Sequence, residues 1–302
     1  MLDGRNAWWR AAFKAAARFG YEARLVKGGE PLEGAAGAVG FVRPTAEPVG
    51  LRAHRAAYRD MKGAGLRMVQ DDRQIDWYDD KLAQWELWKD WMPESWLFTD
   101  KAKALAFVQK ATYPLVSKAS EGASSTNVRI LHNEREGVRH VMELFGRGVI
   151  VHHCAAGARS RQRGYAFFQR FIPHDVTWRV NAIGNGRAVF RRFNYANKPV
   201  AQTGNVAPVM QMDATVESLL DFADGFFKAA GTGWCALDVL QEGDRWTILE
   251  TSLAWPWNEK DHADTPIFRT LYPWGQLWHA MFAEIEAGRL AVASSPSTSR
   301  GT

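Results

Sequence analysis

Apolar and polar residues follow two spacings along the chain, one typical of helices and one typical of strands. Apolar residues three or four positions apart predict helices over 6–19, 51–65, 80–89, 100–110, 134–144, 215–230 and 268–287. Short apolar runs bounded by turn residues predict strands over 21–26, 38–42, 66–70, 96–98, 113–118, 128–131, 149–153, 165–172, 178–183, 187–192, 235–240 and 246–250. The sequence therefore predicts a mixed α/β protein, with a mostly parallel sheet where strands and helices alternate near the N-terminus.

The turns and the ends of the chain refine this pattern. Gly184-Asn185-Gly186 and Glu242-Gly243-Asp244 lie between apolar runs and predict two hairpins. The chain opens with a helix, whereas an α/β unit usually opens with a strand, so we expect a trimmed N-terminus or a missing first strand. Residues 155–164 are polar and rich in Gly and Arg, which predicts a mobile loop, and the Ser/Thr/Pro-rich segment 291–302 predicts a disordered tail.

Composition and charge narrow the classes of protein and of partner. The 302 residues are 46% hydrophobic and 24% charged, which is typical of a globular protein with one large or several small domains. The formal net charge of +5 suits a polyanion such as a nucleotide, but no run of five Lys or Arg residues marks a nucleic-acid tail, so nucleic acid is a disfavoured partner. Cys154 and Cys235 lie outside any CxxC pair, which does not support a zinc site. No apolar run is long enough for a bilayer, and we expect a cytoplasmic location with no membrane partner.

A lysine at the end of an apolar strand is the first candidate for chemistry. Lys118 ends the run from Tyr113, and a loop of small residues follows it, with Glu121, Gly122, Ala123, Ser124 and Ser125. The ammonium group can meet phosphate oxygens, and backbone N–H groups beside small side chains can approach another phosphate closely. The loop is not a Walker P-loop, because GxxxxGK[ST] is missing. From this segment alone, a plain hairpin with a solvated lysine is the alternative.

Two carboxylates on consecutive predicted strands are the second candidate. Asp238 and Glu250 each lie among apolar residues, where an unpaired charge is unfavourable. If the two strands pair, both carboxylates lie on one face of the hairpin. Oxygen ligands side by side suit Mg²⁺, which completes its shell with water and phosphate oxygens. The alternative is that both carboxylates form salt bridges at the surface.

The third candidate is an apolar strand that leads into an irregular segment with several arginines. Gln169, Arg170, Phe171 and Ile172 can offer backbone groups to the edge of a purine, and Asp175 and Arg179 follow. Arg191 and Arg192 lie on a later strand, where a guanidinium group can clamp a phosphate. Because side chains alternate along a strand, only one of these two arginines can point inward.

In their order along the chain, these segments resemble the ATP-grasp superfamily, most closely its branch of ribosomal-protein glutamate ligases and glutathione synthetases. The resemblance spans residues 80–258. Residues 80–82 are similar to the family's DK-L segment, 92–95 to IP-x-T, 114–128 to P-LVVKP-EGSSG-GV and 169–172 to QEFI. Residues 175–179 are similar to DIRV, 237–240 to GVDLL and 249–252 to LEVN.

The resemblance implies a fold and a set of site residues. The fold is α/β (α+β), with two α+β subdomains over 76–153 and 154–290 that sandwich ATP, after a small N-terminal α/β domain over 1–75. Lys81, Lys118 and the loop Glu121 to Ser125 would contact phosphates, while Gln169 to Ile172 and Asp175 would bind the rest of ATP. Arg179 and Arg192 or Arg191 would face the acyl-phosphate intermediate. Asp238, Glu250 and Ser252 would hold Mg²⁺, or Mn²⁺ in its place.

The resemblance also implies an activity, an ATP-dependent ligase that joins the carboxylate of a small molecule or peptide to an amine. Three departures from the family's pattern bear on it. Ser252 replaces an Asn that serves as a metal ligand, Arg170 replaces an acidic hinge residue, and the spacing from Asp175 to Arg179 is longer by two. A nucleotide-binding module without turnover and an ATP-grasp kinase or carboxylase stay as alternatives, and a homo-oligomer is left open.

Overall fold

The computed structural model describes residues 7–26, 30–42, 48–121, 127–152, 159–194, 201–253, 265–269 and 277–288. Within these ranges the helices are α1 (Ala7–Arg18), α2 (Pro48–Gly63), α3 (Asp72–Trp77), α4 (Lys81–Trp88), α5 (Lys101–Val108), α6 (Glu134–Phe145), α7 (Ala214–Ala230) and α8 (Leu277–Glu286). The strands are β1 (Val39–Gly40), β2 (Arg67–Met68), β3 (Ser95–Phe98), β4 (Leu115–Lys118), β5 (Val128–Leu131), β6 (Val149–His152), β7 (Arg159–Gln162), β8 (Ala166–Arg170), β9 (Val176–Ile183), β10 (Gly186–Asn194), β11 (Ala201–Pro208), β12 (Trp234–Glu242) and β13 (Arg245–Ser252). The predicted mixed α/β class is confirmed.

Two larger antiparallel sheets form most of the scaffold. One has the strand order β11-β10-β9-β12-β13, and the other has the order β3-β8-β4-β5. β6 and β7 form a separate antiparallel pair. Among the described strands, parallel pairing occurs between β1 and β2 alone, so the predicted parallel sheet is limited to one short pair near the N-terminus.

Side-chain caps define where the helices around these sheets begin and end. Asp100, Asn133 and Asp213 each accept a hydrogen bond from a backbone N–H in the first turn of α5, α6 and α7, respectively. These caps satisfy N–H groups that have no partner inside the helix. Gly231 ends α7 at a φ of 65°, a left-handed conformation that favours glycine.

Each larger sheet carries its own hydrophobic core. Val108, Val141, Leu144 and Phe168 are buried where α5 and α6 pack on the four-stranded sheet. A larger core forms where α7 packs on the five-stranded sheet, and buried residues of α1, α2, α3 and α8 extend it. The N-terminal segment therefore shares a continuous core with the five-stranded sheet.

The structure differs from the predicted elements at several places. Residues 21–26 form no strand, and β7 lies where a mobile loop was predicted over 155–164. The helix predicted over 268–287 begins at Leu277 within the described residues, and β11 was not predicted at all. The predicted tail over 291–302 lies outside the described residues. None of the described helices combines the length and apolar character needed to cross a membrane.

Candidate functional site

A cleft of about 810 Å³, including its open mouth, lies between the two larger sheets. Strands β4, β5 and β8 line one side, and strands β9, β10, β12 and β13 line the other. The cleft has an apolar part and a charged part. The apolar part is lined by Val116, Val128, Ile130, Ile172, Leu240 and Leu249, and the charged part by Lys81, Lys118, Arg192, Asp238 and Glu250. Such a division suits a ligand with a flat apolar body and an anionic end.

The two predicted carboxylates lie side by side in this cleft. Asp238 on β12 is the direct cross-strand partner of Glu250 on β13. The register then shifts by one residue, because Val239 pairs with Ile248 and Leu249 is the extra residue of a bulge. Bulges change the direction of side chains locally and occur often beside functional sites. The observed register therefore places both carboxylates on one face of the hairpin, as the sequence predicted.

Asp238 is held by two arginines from neighbouring strands. Arg179 Nη1 donates to Asp238 Oδ1 at 3.2 Å, and Arg192 Nη1 donates to Asp238 Oδ2 at 2.9 Å. The Arg179 side chain is 7% exposed, and its burial, together with the nearby Arg192 charge, lowers the pKa of Arg179 to about 10. Arg179 therefore stays charged at neutral pH, and with Arg192 it offsets the charge of Asp238.

Two buried lysines complete the charged part. Lys81 Nζ lies 3.3 Å from Glu250 Oε1, and Lys118 Nζ donates to the bulged Leu249 carbonyl at 3.3 Å. Burial alone would lower the pKa of Lys81, but the carboxylates of Glu250, Asp79 and Asp80 outweigh it and raise that pKa. For Lys118, burial and the neighbouring Lys81 outweigh the carboxylates and lower the pKa to about 8.

The predicted adenine segment lies at the edge of the apolar part. Gln169, Arg170, Phe171 and Ile172 all line the cleft. The buried Gln169 side chain donates to Ser95 Oγ at 3.0 Å. The Arg170 guanidinium turns away and forms a bidentate pair with Glu242, at 2.6 and 2.7 Å. Arg170 therefore joins the four-stranded sheet to the end of β12, and its guanidinium group is already engaged there.

Other predicted site residues lie outside the cleft lining. Arg191 is exposed on the opposite face of β10, with its Cζ 5.9 Å from the ring centroid of Trp178, so Arg192 is the arginine that points inward. Asp175 is exposed. Glu121 accepts a hydrogen bond at its carbonyl from Asn127 Nδ2, and Ser252 lies two cross-strand pairs beyond Glu250, opposite Ala236. The predicted loop residues Gly122, Ala123, Ser124 and Ser125 lie outside the described residues.

Several residues that line the cleft were missed in the sequence. They are Asn127, His174 and Thr177. Thr177 is the cross-strand partner of Arg192, so the strand pattern and a correct register together place it in the cleft. Nothing in the local sequence of Asn127 or His174 distinguishes either of them from an ordinary loop residue.

A buried serine–histidine pair beside Lys118 resembles a nucleophile with its base, but its hydrogen bonds exclude that role. Arg129 Nη1 lies 2.9 Å from His140 Nδ1, and His140 Nε2 lies 2.9 Å from Ser117 Oγ. Arginine can only donate, so Nδ1 accepts and Nε2 carries the proton. His140 therefore donates to Ser117 and cannot take its proton, and burial lowers the pKa of His140 to about 4, which keeps the ring neutral.

The donor set fits a magnesium ion that is shared with phosphates. Asp238 and Glu250 supply hard oxygen ligands on adjacent strands. Among the described residues, no group of three or more His, Cys, Asp or Glu side chains could hold a metal by itself. A metal here would therefore need further ligands from a bound phosphate and from water.

Known structures similar to this one cover nearly the whole chain. An ATP-grasp protein with a RimK domain from Sphaerobacter thermophilus DSM 20745 is 17% identical, with a TM-score of 0.58 over 93% of this chain and 96% of that one. The D-cycloserine synthetase DcsG is 13% identical, with a TM-score of 0.60 over 93% and 94% of the two chains. A D-alanine–D-alanine ligase from Bacillus anthracis is 11% identical, with a TM-score of 0.56 over 95% and 96%.

The comparisons with sequences give no match: no protein-family model matches the chain, and neither does any curated protein. The fold is therefore assigned from the similarity of the structures, and at these sequence identities the similarity shows the fold alone. It agrees with the two sheets, the cleft between them and the order of segments noted in the sequence. The chain has the fold of the ATP-grasp superfamily.

Proposed function

We propose that the protein is an ATP-dependent ligase that joins a carboxylate to an amine through an acyl phosphate. The observation that carries this proposal is the convergence of Lys81, Lys118, Arg192, Asp238 and Glu250 on one cleft between two sheets. With Arg179, four cationic side chains face two carboxylates, and this surplus of positive charge suits a triphosphate. The names of two proteins of similar fold, a D-cycloserine synthetase and a D-alanine–D-alanine ligase, support the same class of reaction.

The proposed reaction has two steps. A carboxylate oxygen of the first substrate attacks the γ-phosphorus of ATP, the bond to the β-phosphate oxygen breaks, and ADP leaves an acyl phosphate behind. The amine nitrogen then attacks the acyl carbon, the bond from that carbon to the phosphate oxygen breaks, and the nitrogen loses a proton. Positioning and neutralisation of charge supply most of the catalysis in phosphoryl transfer, so no nucleophilic side chain is required.

The residues of the cleft have separate roles in this proposal. Lys81 and Lys118 hold the phosphates, and the backbone of residues 169–172 holds the adenine. Arg179 and Arg192 orient the transferred phosphoryl group and neutralise its charge. Asp238 and Glu250 hold Mg²⁺, which when bound would neutralise further negative charge on the phosphates. The carboxylate and amine substrates are small molecules or peptides, and the protein works in the cytoplasm.

A nucleotide-binding module with little turnover is the second candidate, and one observation favours it. Ser252 stands where the family's pattern has an Asn ligand, and its hydroxyl is a weaker ligand for magnesium than an amide oxygen. Among the residues that the structure describes, the protein's own metal ligands are then the two carboxylates. A screen of phosphate release from ATP over amino acids, other carboxylates and small polyamines separates the candidates. Release that depends on an added amine supports the ligase, and nucleotide binding without hydrolysis supports the module.

The metal assignment predicts the effect of a conservative change on β12. Asp238→Asn keeps the size of the side chain but removes the charge that holds Mg²⁺, so turnover should fall by roughly a hundredfold or more. The measurement is steady-state phosphate release at saturating ATP. Asp244→Asn is the matched control, because Asp244 is exposed in the turn of the same hairpin. An unchanged rate for Asp238→Asn would contradict the metal assignment.

A further inference from the structure

A set of hydrogen bonds beside the cleft joins Ser120 to the start of α4. The Ser120 hydroxyl donates to Asp80 Oδ1 at 2.6 Å, and the Ser120 carbonyl accepts from the Lys81 N–H at 2.9 Å. Asp80 is the N-cap of α4, and its Oδ1 also accepts from the N–H groups of Leu82 and Ala83, both at 3.1 Å. The first turn of α4 is therefore fixed directly to the residue that lies just beyond β4.

Ser120 is also held by two residues at the connection between β7 and β8. Its N–H points at two acceptors, Gln162 Oε1 at 3.3 Å and Tyr165 Oη at 3.2 Å. Gln162 ends β7, and Tyr165 immediately precedes β8. The N–H, the carbonyl and the hydroxyl of Ser120 are thus all engaged, which fixes both its backbone and its side-chain rotamer.

Asn127, which follows residues 122–126 in the sequence, is hydrogen-bonded back to residues 119 and 121. The Ala119 N–H donates to the Asn127 carbonyl at 3.1 Å, and Asn127 Nδ2 donates to the Glu121 carbonyl at 3.1 Å. Residues 119–121 and Asn127 thereby form a closed neck. Lys118 precedes this neck, and Asn127 itself lines the cleft.

Both lysines of the cleft depend on the position of Ser120. Lys118 precedes it by two residues, and Lys81 is bonded to its carbonyl through the backbone. The Lys81 side chain is only 7% exposed and reaches Glu250, so it has little room to compensate for a shift of its backbone. A displacement of Ser120 would therefore change the separation of both ammonium groups from the carboxylates.

We propose that Ser120, held by Asp80 and Tyr165, is a positioning residue for the polyphosphate of the bound nucleotide. It sets the distance between Lys81 and Lys118 and anchors the neck formed by residues 119–121 and Asn127. This inference rests on the proposed function, because the ligand is the nucleotide. The purine segment 169–172 lies outside this network, so the network acts on the contacts with the phosphates and leaves those with the base unchanged.

The test is nucleotide affinity as a function of the number of phosphates. A non-hydrolysable ATP analogue, ADP and AMP are titrated by calorimetry into the wild-type chain and into Ser120→Ala and Tyr165→Phe. We expect each change to weaken the binding of the ATP analogue by roughly tenfold and that of AMP by less than about twofold. A role in general stability would weaken all three nucleotides alike.

Matched variants control for the loss of a hydroxyl group. Tyr113→Phe removes a hydroxyl that donates to the Val108 carbonyl, and Ser218→Ala removes one that accepts from Trp246 Nε1. Both should bind the three nucleotides as the wild type does. If Ser120→Ala fails to fold, Tyr165→Phe, which deletes a single oxygen, still decides the test.

The possible results of these titrations distinguish a failure of the positioning role from a failure of the proposed function. Normal binding by both Ser120→Ala and Tyr165→Phe, or an equal loss for AMP and the ATP analogue, overturns the positioning role alone. A wild-type chain that binds none of the three nucleotides overturns the proposed function and the positioning role with it. A loss that grows with the number of phosphates supports both.

Discussion

Lys118 is buried, and the loss of contact with water disfavours its charged form. Its side chain lies between the sheets, close enough to the bulge of β13 to donate to the Leu249 carbonyl. Burial and the Lys81 charge lower its pKa to about 8, although Glu250 and Asp238 act in the opposite direction. The residue is therefore mostly protonated at neutral pH and loses its proton at a pH where an exposed lysine stays charged.

This pKa predicts how nucleotide binding should depend on pH. A phosphate beside Lys118 stabilises the ammonium form and raises its pKa, so binding near pH 8 should take up a proton. Affinity should be greatest below about pH 8 and should fall as the pH rises above it. Calorimetry in two buffers of different ionisation enthalpy measures the proton uptake. Lys118→Arg keeps its charge at these pH values and should remove the dependence, and the same proton uptake in that variant would contradict the assignment.

At this scale, part of the site could be predicted from the sequence. Lys118, Asp238 and Glu250 stand out because a charged residue within an apolar strand needs a partner or a ligand. Ser120 and Asn127 do not stand out, because small polar residues are ordinary in loops. Their role depends on contacts with α4, β7 and the far end of the loop, and no local pattern encodes those contacts.

The hairpin of β12 and β13 is the element on which the metal proposal depends. Its register places Asp238 opposite Glu250, and strands β9 and β10 bring Arg179 and Arg192 onto Asp238. Lys81 approaches Glu250 from α4. Each carboxylate is thus already neutralised by the protein, and a divalent cation would have to compete with these side chains.

This arrangement predicts that a metal ion binds well only together with a nucleotide. Phosphates would draw the arginines and lysines toward themselves and also supply ligands, so Mn²⁺ alone should bind weakly and Mn²⁺ with a non-hydrolysable ATP analogue should bind tightly. Arg192→Met should strengthen the binding of Mn²⁺ alone by about tenfold, since one competing charge is lost. Free Mn²⁺ is measured by electron paramagnetic resonance. Arg191→Met, on the opposite face of β10, is the control, and tight Mn²⁺ binding by the wild-type chain without nucleotide would refute the prediction.

The elements themselves were predicted well where packing follows local pattern. Capped amphipathic helices such as α6 and α7 and the apolar strands of the two larger sheets were predicted close to their observed bounds. β7 and β11 were missed, because polar and Gly-containing segments become strands only when β6 and β10 pair with them. Residues 21–26 have the composition of a strand but form no ladder, and a strand without a partner leaves its backbone groups unpaired.

At the scale of the whole molecule, α4 connects three parts of the chain. Its first turn is bonded to Ser120 beside the four-stranded sheet. Gln84 in its middle is fully buried: Nε2 donates to the Trp77 carbonyl of α3 at 3.2 Å and to the Thr251 carbonyl at 3.0 Å. Gln84 Oε1 accepts from the Thr251 N–H at 2.9 Å. A single amide therefore pairs with the backbone of β13, at the edge of the five-stranded sheet, much as another strand would.

Replacing this amide predicts a large loss of stability. Gln84→Leu has similar size and helix propensity, but it leaves the buried N–H and carbonyl of Thr251 without partners. We expect the free energy of unfolding to fall by about 2–4 kcal/mol, a large part of the stability of a typical domain. The shift of the urea midpoint measures it. Gln109→Leu, at an exposed position at the end of α5, should change stability by less than about 0.5 kcal/mol. An equally small effect of Gln84→Leu would mean that α4 is held in place by its apolar contacts and by Lys81, and that the amide is dispensable.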